Sequence, residues 1–177
     1  NGVKEINLIA QDTTNYGIDL YGEIKILELL KELVKIEELK WIRLLYCYPK
    51  RFTDELLNFM ATEPKICKYI DLPLQHAHND VLKAMARQDT KEEIEDLLLR
   101  IRKIMPTATI RTSFIVGFPG ESIEHYETLK EFIIKQRFDK VGIFTYSKEE
   151  DTVAFTMEQQ VSEEIKQERY HELMAIQ

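Results

Sequence analysis

The alternation of short apolar segments with segments of helical periodicity constrains the fold of this chain most strongly. Five short segments are apolar, and most of them are almost continuously so and rich in Ile, Val, Leu, Tyr and Phe, which is typical of strands covered on both faces. These predicted strands are residues 5–10, 41–47, 69–75, 109–118 and 140–147. Because strands that alternate with helices form βαβ units, the sequence predicts a parallel sheet.

The stretches between the predicted strands carry apolar residues at helical spacing, and several begin with residues that cap helices. Thr53 and Ser122 are predicted N-caps, and Thr90 with Glu93 forms a capping box. The predicted helices cover residues 20–36, 53–62, 81–87, 90–101, 122–136 and 162–176.

The number of strands is too small for a closed barrel. The chain has 177 residues and five predicted strands, whereas a closed eight-stranded barrel takes about 250 residues. The first strand has the apolar character of an interior position although it starts almost at residue 1, so we expect the barrel to be cut short. We therefore predict the α/β fold class, as a partial parallel (β/α) barrel of TIM-like type. Residues 1–155 are assigned to the incomplete barrel and residues 156–177 to a linker and helix.

Charge and cysteine content narrow the function further. The chain has 24 Lys and Arg against 31 Asp and Glu, a net charge of −7, which disfavours broad binding to nucleic acid. No apolar segment approaches the length of a membrane span, and we expect no signal peptide. Cys47 and Cys67 form neither a CxxC pair nor a disulfide framework, so we expect two reduced core thiols in a cytoplasmic protein.

Polar residues that follow the predicted strands are the candidates for a binding site, because sites in parallel α/β folds lie at the carboxyl ends of strands. Residues 11–17 form either an ordinary polar loop or a ligand-binding loop. Gln75 and His76 leave a buried strand, where polar side chains need partners. Residues 117–121 form a tight strand-to-helix turn that lets the backbone approach a ligand closely.

Arg111 and Ser113 lie two residues apart on the fourth strand and therefore face the same side. An arginine inside an apolar strand requires an anionic partner, either from the protein or from a ligand. No acid–base dyad, Ser-His-Asp order or phosphate loop is present, so we assign no catalytic residue in this chain.

His76 and His78 form a His-x-His pair of the kind that can bind a metal. The alternative is that His78 or Asn79 simply caps the next helix. A metal needs further ligands, and the remaining histidines, His125 and His171, lie on predicted helices. We therefore assign no metal site.

Five stretches, taken together, resemble the radical S-adenosylmethionine (SAM) methylthiotransferases. They are EINLIAQDTTNYGIDLYG (5–22), LYCYP (45–49), YIDLPLQHAHNDVLKAMAR (69–87), TSFIVGFPGE (112–121) and FTYSKEEDT (144–152). Around residues 10–15 and 72–78 the resemblance is closer to the RimO branch, which modifies an aspartate of a small-subunit ribosomal protein. The tRNA-modifying branch of the same family remains an alternative.

The resemblance implies a radical SAM barrel of about six units and a transferase that adds a methylthio group to the β-carbon of the aspartate. The residues that it places at the SAM pocket are Gln11, Gln75, His76, Arg111, Ser113, Gly117 and Glu121. Arg111 is a candidate for contact with the SAM carboxylate. The residues near a possible substrate cavity are Asp12, Thr13, Arg87 and Tyr146.

The cofactors that the resemblance implies are SAM and two [4Fe–4S] clusters, one of them held by three thiolates of a CxxxCxxC motif. Cys47 and Cys67 are too few and wrongly spaced, so we expect the ligands just before Asn1 and this chain alone to be inactive. The expected partner is a small-subunit ribosomal protein of the decoding region. Neither a membrane nor strong nucleic-acid binding is expected.

Two hypotheses from other classes compete with this one. A metal-dependent barrel hydrolase would use His76 and His78, with Asp12 as the only obvious further ligand. A non-catalytic binding module would begin at Asn1 and have no cysteine motif before it.

Overall fold

The computed structural model describes residues 2–177, and all five predicted strands are present. The strands are β1 (Glu5–Leu8), β2 (Trp41–Leu44), β3 (Tyr69–Gln75), β4 (Thr109–Val116) and β5 (Lys140–Thr145). The helices are α1 (Ile18–Tyr21), α2 (Ile26–Leu33), α3 (Asp54–Thr62), α4 (Asn79–Ala84), α5 (Lys91–Ile104), α6 (Ile123–Gln136) and α7 (Glu163–Ile176). Short 3-10 segments lie at Thr13–Asn15, Pro49–Arg51 and Val153–Thr156.

The chain divides into two compact units. The first contains the described residues up to Pro73 together with Glu95–Arg111, and the second contains Leu74–Ile94 and Thr112–Gln177. β1 and β2 pair in parallel, while the other three strands form a sheet in the order β3-β4-β5. Strand order thus follows chain order within each sheet, as helical crossovers between neighbouring parallel strands require.

The core of the first unit lies around β2 and β3. Ile42 on β2 forms a parallel bridge with Ile66, just before β3, and the backbone N–H of Cys47 donates to Asp71 C=O at 3.0 Å. The fully buried apolar side chains of this unit include Leu30, Ile42, Leu57, Met60 and Leu72. On β3 the buried residues Ile70, Asp71 and Leu72 follow one another, as expected of a strand covered on both faces. β1 and β2 instead alternate and leave Glu5, Asn7 and Trp41 exposed, so the prediction of burial on both faces was wrong for these two strands.

In the second unit, β4 presents two different faces. Thr112, Phe114 and Val116 are buried, whereas Ser113 and Ile115 between them are half-buried. The ring of Phe114 packs edge-on against Phe132 of α6, with centroids 6.3 Å apart. One face of β4 therefore belongs to the core, and the other is left available for a cavity.

Two predicted helices differ from those observed. The helix predicted over residues 20–36 is interrupted, because Gly22 adopts a left-handed conformation with φ 74° and ends α1; α2 begins only at Ile26. The helix predicted over residues 81–87 begins earlier, at Asn79, because the side chain of His78 caps it by accepting from Asp80 N–H at 3.2 Å. The capping roles predicted for Thr53 and Ser122 are confirmed.

Helix α7 packs within the second unit. Its Leu173 has no exposed surface, and Lys166 and Arg169 are each 7% exposed. The assignment of residues 156–177 to a linker and helix outside the barrel stays a prediction. No helix within residues 2–177 is both long enough and apolar enough to cross a membrane.

Replacement of Leu173 by alanine tests whether α7 is an integral part of its unit. Because the side chain is fully buried, we expect the free energy of unfolding in urea to fall by about 2–5 kcal/mol. Met174→Ala is the matched control, since Met174 is 42% exposed and its loss should change stability by only about 0.5 kcal/mol. Similar small effects of both substitutions would show that α7 contributes little to the folded unit.

Candidate functional site

An open cavity lies at the carboxyl ends of the strands in the second unit. Its volume is about 610 Å³, within the range of small-molecule sites. The side chains that line it are Gln75, Met85, Arg87, Ser113, Ile115, Phe118, Phe144, Thr145, Tyr146, Ser147, Glu149, Thr152 and Ala154. The structure thus brings together four of the predicted site residues, namely Gln75, Arg87, Ser113 and Tyr146.

Gln75 has the most unusual backbone in this cavity. It ends β3 with a φ of 73°, a left-handed conformation that is uncommon for a residue with a side chain. The neighbouring His76 is fully buried while Gln75 lines the cavity. The left-handed backbone at Gln75 therefore lies between a residue that lines the cavity and one that does not.

The wall formed by β4 and β5 is largely aromatic. The rings of Phe118 and Tyr146 meet edge to face, with centroids 5.4 Å apart, and Tyr146 N–H donates to Val116 C=O at 2.8 Å. Ser113 contributes a hydroxyl and Gln75 an amide among these apolar surfaces. Apolar walls with a few placed polar groups suit a ligand with a planar ring and a polar end, such as a nucleoside.

A buried ionic cluster holds the turn that follows β4. The carboxylate of Glu121 accepts from Gly117 N–H at 3.0 Å, and its Oε2 lies 3.4 Å from Nε2 of His76. Arg169 of α7 forms an ion pair with this carboxylate and also donates to Glu121 C=O at 3.2 Å. The side chains of His76 and Glu121 have no exposed surface, and neither lines the cavity, so direct contact of these two residues with SAM stays a prediction.

The pKa shifts of this cluster agree with a neutral imidazole beside a charged carboxylate. Burial lowers the pKa of His76 more than the neighbouring Glu121 raises it. Burial by itself would raise the pKa of Glu121, but His76, the Gly117 N–H and Arg169 outweigh burial, and that pKa lies below its usual value. Nδ1 of His76 accepts from His78 N–H at 3.0 Å, which leaves the proton on Nε2, facing Glu121.

Arg111 lies in the first unit, and its anionic partner is a carboxylate of the protein itself. Its Nη1 is 2.6 Å from Oδ1 of Asp71, which is 1% exposed, and the hydrogen bond from Arg111 to this carboxylate raises the pKa of the arginine. The other oxygen of Asp71 accepts from Tyr46 N–H at 2.9 Å. Of the two partners that the sequence allowed, the structure contains the protein carboxylate; contact with the SAM carboxylate stays a prediction.

Gln11, Asp12 and Thr13 also lie in the first unit, on the loop after β1. Gln11 is exposed, whereas Asp12 and Thr13 line a cavity of about 630 Å³ beside the tip of β1. The Thr13 hydroxyl accepts from Ala10 N–H at 3.0 Å, and Asp12 accepts from the Thr14 hydroxyl at 2.6 Å. These hydrogen bonds shape the loop itself, and the predicted ligand contacts of the three residues stay predictions.

The structure does not favour a metal centre built on His76 and His78, because His78 N–H donates to the ring of His76. His78 lies instead near Asp80 and His125, with potential ligand atoms within 4.8 Å of one another. The Nδ1 atoms of His78 and His125 each accept from a backbone N–H, of Asp80 and Ser122 respectively, at 3.2 Å. Both imidazoles therefore accept hydrogen bonds at helix N-termini, and the partial positive charge of a helix N-terminus disfavours a nearby cation.

The two cysteines do not fit an iron–sulfur site. Cys47 is buried and Cys67 is half-buried, and both are free thiols. Burial, followed by the carboxylates of Asp71 and Asp12, raises the pKa of the Cys47 thiol, whereas a cluster ligand must be a thiolate. The location of the cluster ligands outside this chain stays a prediction.

Sequence patterns missed the buried basic residues of α7. Lys166 and Arg169 lie three residues apart and are both 7% exposed, so they share the inner face of the helix. Their position among the apolar residues of an amphipathic helix is the only sequence signal that distinguishes them from solvent-exposed basic residues.

The lowered pKa of His76 makes stability depend on pH. The unfolded chain takes up a proton near pH 6.5 that the folded protein resists, so the free energy of unfolding should fall as pH drops from about 7 to 5, by at most ~1.4 kcal/mol per pH unit for this proton. The contribution of Glu121, whose pKa is also lowered, is lost only at more acidic pH, below about 4.3. His78, whose pKa burial also lowers, adds to the slope, so the comparison with a His76 variant isolates the effect of His76.

Urea unfolding at several pH values checks this expectation. His76→Gln should show a shallower dependence on pH than the wild type, whereas His171→Gln, at an exposed position, should keep the full slope. Equal slopes for the wild type and His76→Gln would contradict the neutral buried imidazole.

Comparisons with known proteins agree with the predicted family. The model of the Radical SAM superfamily matches residues 1–133. The ribosomal protein uS12 methylthiotransferase RimO of Desulforamulus reducens is 57% identical over 176 residues, 99% of this chain and 40% of that protein. The proteins of the same name from Clostridium perfringens and Elusimicrobium minutum are 55% and 52% identical over the whole of this chain. The chain covers 40% and 41% of their respective lengths. The chain thus spans about 40% of the length of these relatives.

A solved structure shows the same fold. Coproporphyrinogen III oxidase (HemN) from Escherichia coli, a radical SAM enzyme, aligns with a TM-score of 0.68 at 18% identity, over 85% of this chain and 36% of that one. The predicted α/β fold with parallel strands and the predicted resemblance to the RimO branch are both confirmed. The family match over most of its length shows that this chain belongs to the radical SAM superfamily.

Proposed function

We propose that this chain forms the SAM-binding part of a radical SAM methylthiotransferase that modifies ribosomal protein uS12. The observation that carries the proposal is the 57% identity to a RimO protein over 99% of the chain. The expected reaction adds a methylthio group to the β-carbon of an aspartate. The tRNA-modifying branch is less favoured, since the similar proteins named above are uS12 methylthiotransferases.

The cavity of the second unit supports SAM as its ligand. Ile115 and Phe118 offer apolar surface for the adenine ring, and Ser113 and Gln75 offer hydrogen bonds to polar groups. Bound SAM would supply the radical chemistry of the family, and the residues of this chain would bind and orient it. His76 and Glu121 would act from behind the cavity, by fixing the turn that contains Gly117.

The substrate and the remaining cofactors belong to the proposal as well. Arg87 and Tyr146 line the same cavity and are candidates for contact with the substrate residue, an aspartate of a ribosomal protein near the decoding region. The proposed enzyme is cytoplasmic and carries two [4Fe–4S] clusters, whose ligands lie outside this chain. Strong binding of nucleic acid by this chain is not part of the proposal. This chain alone is therefore expected to be inactive.

Obstruction of the cavity tests the proposed SAM site directly. Ser113→Leu places a larger side chain on the half-buried face of β4, and we expect the affinity for S-adenosylhomocysteine, measured by titration calorimetry, to fall at least about tenfold. Thr107→Leu, at an exposed position before β4, is the control and should bind as the wild type does. Unchanged binding by Ser113→Leu would place the ligand elsewhere.

Complementation tests the proposed reaction. The complete coding sequence is expressed in a bacterium that lacks its own uS12 methylthiotransferase, and uS12 peptides are analysed by mass spectrometry. We expect the mass of one methylthio group on an aspartate of uS12 and no new methylthio group on tRNA. Modified tRNA with unmodified uS12 would favour the sister branch instead.

A further inference from the structure

The ammonium group of Lys166, on α7, is buried at the back of the cavity wall. Its Nζ donates to Tyr146 C=O at 3.0 Å and lies 5.3 Å from the centroid of the Tyr146 ring. Its Nζ also lies 3.5 Å from Oε2 of Glu163, whose side chain is 66% exposed. A buried ammonium group requires polar partners. The carbonyl and the ring of Tyr146 are such partners, so the ammonium group of Lys166 holds Tyr146 in place.

The stem of the same lysine fixes the tip of the neighbouring strand. Gly117 has a φ of 73°, and a Cβ at this position would overlap the methylene groups of Lys166. The glycine therefore meets two requirements at once, a left-handed backbone and room for the lysine stem. Through Gly117 on one side and Tyr146 on the other, Lys166 contacts the ends of both β4 and β5.

The residues next to these contacts are the aromatic wall of the cavity. Phe118 follows Gly117 directly, and its ring meets that of Tyr146 at a centroid distance of 5.4 Å. Lys166 itself is not among the cavity-lining residues. The lysine therefore acts on the cavity through Tyr146, which it contacts, and through Gly117, the residue before Phe118.

The segment before α7 holds the same turn from a second direction. Gly120 N–H donates to Gln159 C=O at 2.8 Å, and Arg169 pairs with Glu121 one residue further on. The turn after β4 is thus attached to residues 159–169 at three points. A change in this attachment would alter the position of the turn and hence the width of the cavity.

We propose that Lys166 is a positioning residue for the cavity, which sets the separation and orientation of Phe118 and Tyr146 without touching the ligand. The inference rests on the proposed function of the cavity as a SAM site. Ligand affinity depends on walls that are preorganised before binding. Loss of the ammonium frees the Tyr146 carbonyl and ring, so part of the binding free energy would have to order them.

Lys130 offers a control for general docking of α7. It lies on α6 and pairs with Glu172 of α7 at 2.6 Å, and it is not among the cavity-lining residues. Its removal weakens the contact between the two helices but leaves the contacts of Lys166 with Gly117 and Tyr146 in place. This control distinguishes a loss of ligand affinity caused by the contacts of Lys166 from a loss caused by weaker packing of α7.

The test measures S-adenosylhomocysteine binding by titration calorimetry for the wild-type chain and for Lys166→Met, Lys166→Arg and Lys130→Met. We expect Lys166→Met to bind roughly five- to tenfold more weakly, because it keeps the apolar stem but loses a charge-assisted hydrogen bond. Lys166→Arg retains a donor for the carbonyl and should stay within about twofold of the wild type. Lys130→Met should bind as the wild type does. Urea unfolding of each variant shows whether the change in ligand affinity parallels the change in the free energy of unfolding.

Three results would overturn the inference: wild-type affinity in Lys166→Met, an equal loss in Lys130→Met, or a loss that parallels the fall in stability across the variants. If Lys166→Met does not fold, Lys166→Gln replaces it. The side chain of glutamine is one bond shorter than that of lysine, so its nitrogen does not reach the Tyr146 carbonyl, and we expect the same loss of affinity. Absence of binding by the wild type would instead reject the proposed SAM site, and the inference with it.

Discussion

The carboxylate of Glu121 is the group on which the second unit most depends. A buried charge is unfavourable unless charged or hydrogen-bonding partners surround it, and this one meets partners from three parts of the chain. His76 approaches from the end of β3, the Gly117 N–H from the end of β4, and Arg169 from α7. Because all three must be in place at once, the strand ends and the helix are held in a single arrangement.

The same requirement organises the first unit around Asp71. Its carboxylate pairs with Arg111 of β4 and accepts the N–H of Tyr46, at the end of β2. In both units, then, buried polar residues at or near strand ends bind one another, and half-buried residues such as Gln75 and Ser113 remain available to a ligand. This separation of a buried support from an accessible surface is what a preorganised binding site requires.

Much of this arrangement was predictable from local sequence patterns. The strands follow from continuous apolar segments, and the caps of α3 and α6 from Thr53 and Ser122, because these signals act over a few residues. Alternation along β4 placed Ser113 on an accessible face. The helix predicted over residues 20–36 was wrong in extent because the left-handed turn at Gly22 interrupts a pattern that periodicity alone continues.

The sequence by itself determined the order of strands and helices, the ends of the strands as the place of the candidate cavity, and the family to which the chain belongs. Only the tertiary structure decided the partner of each charged group. Asp71 and Arg111 are 40 residues apart, and Glu121 and Arg169 are 48 apart, so no local pattern connects them. Periodicity reports which face of an element is buried, whereas the identity of a buried partner depends on which distant elements the fold brings into contact.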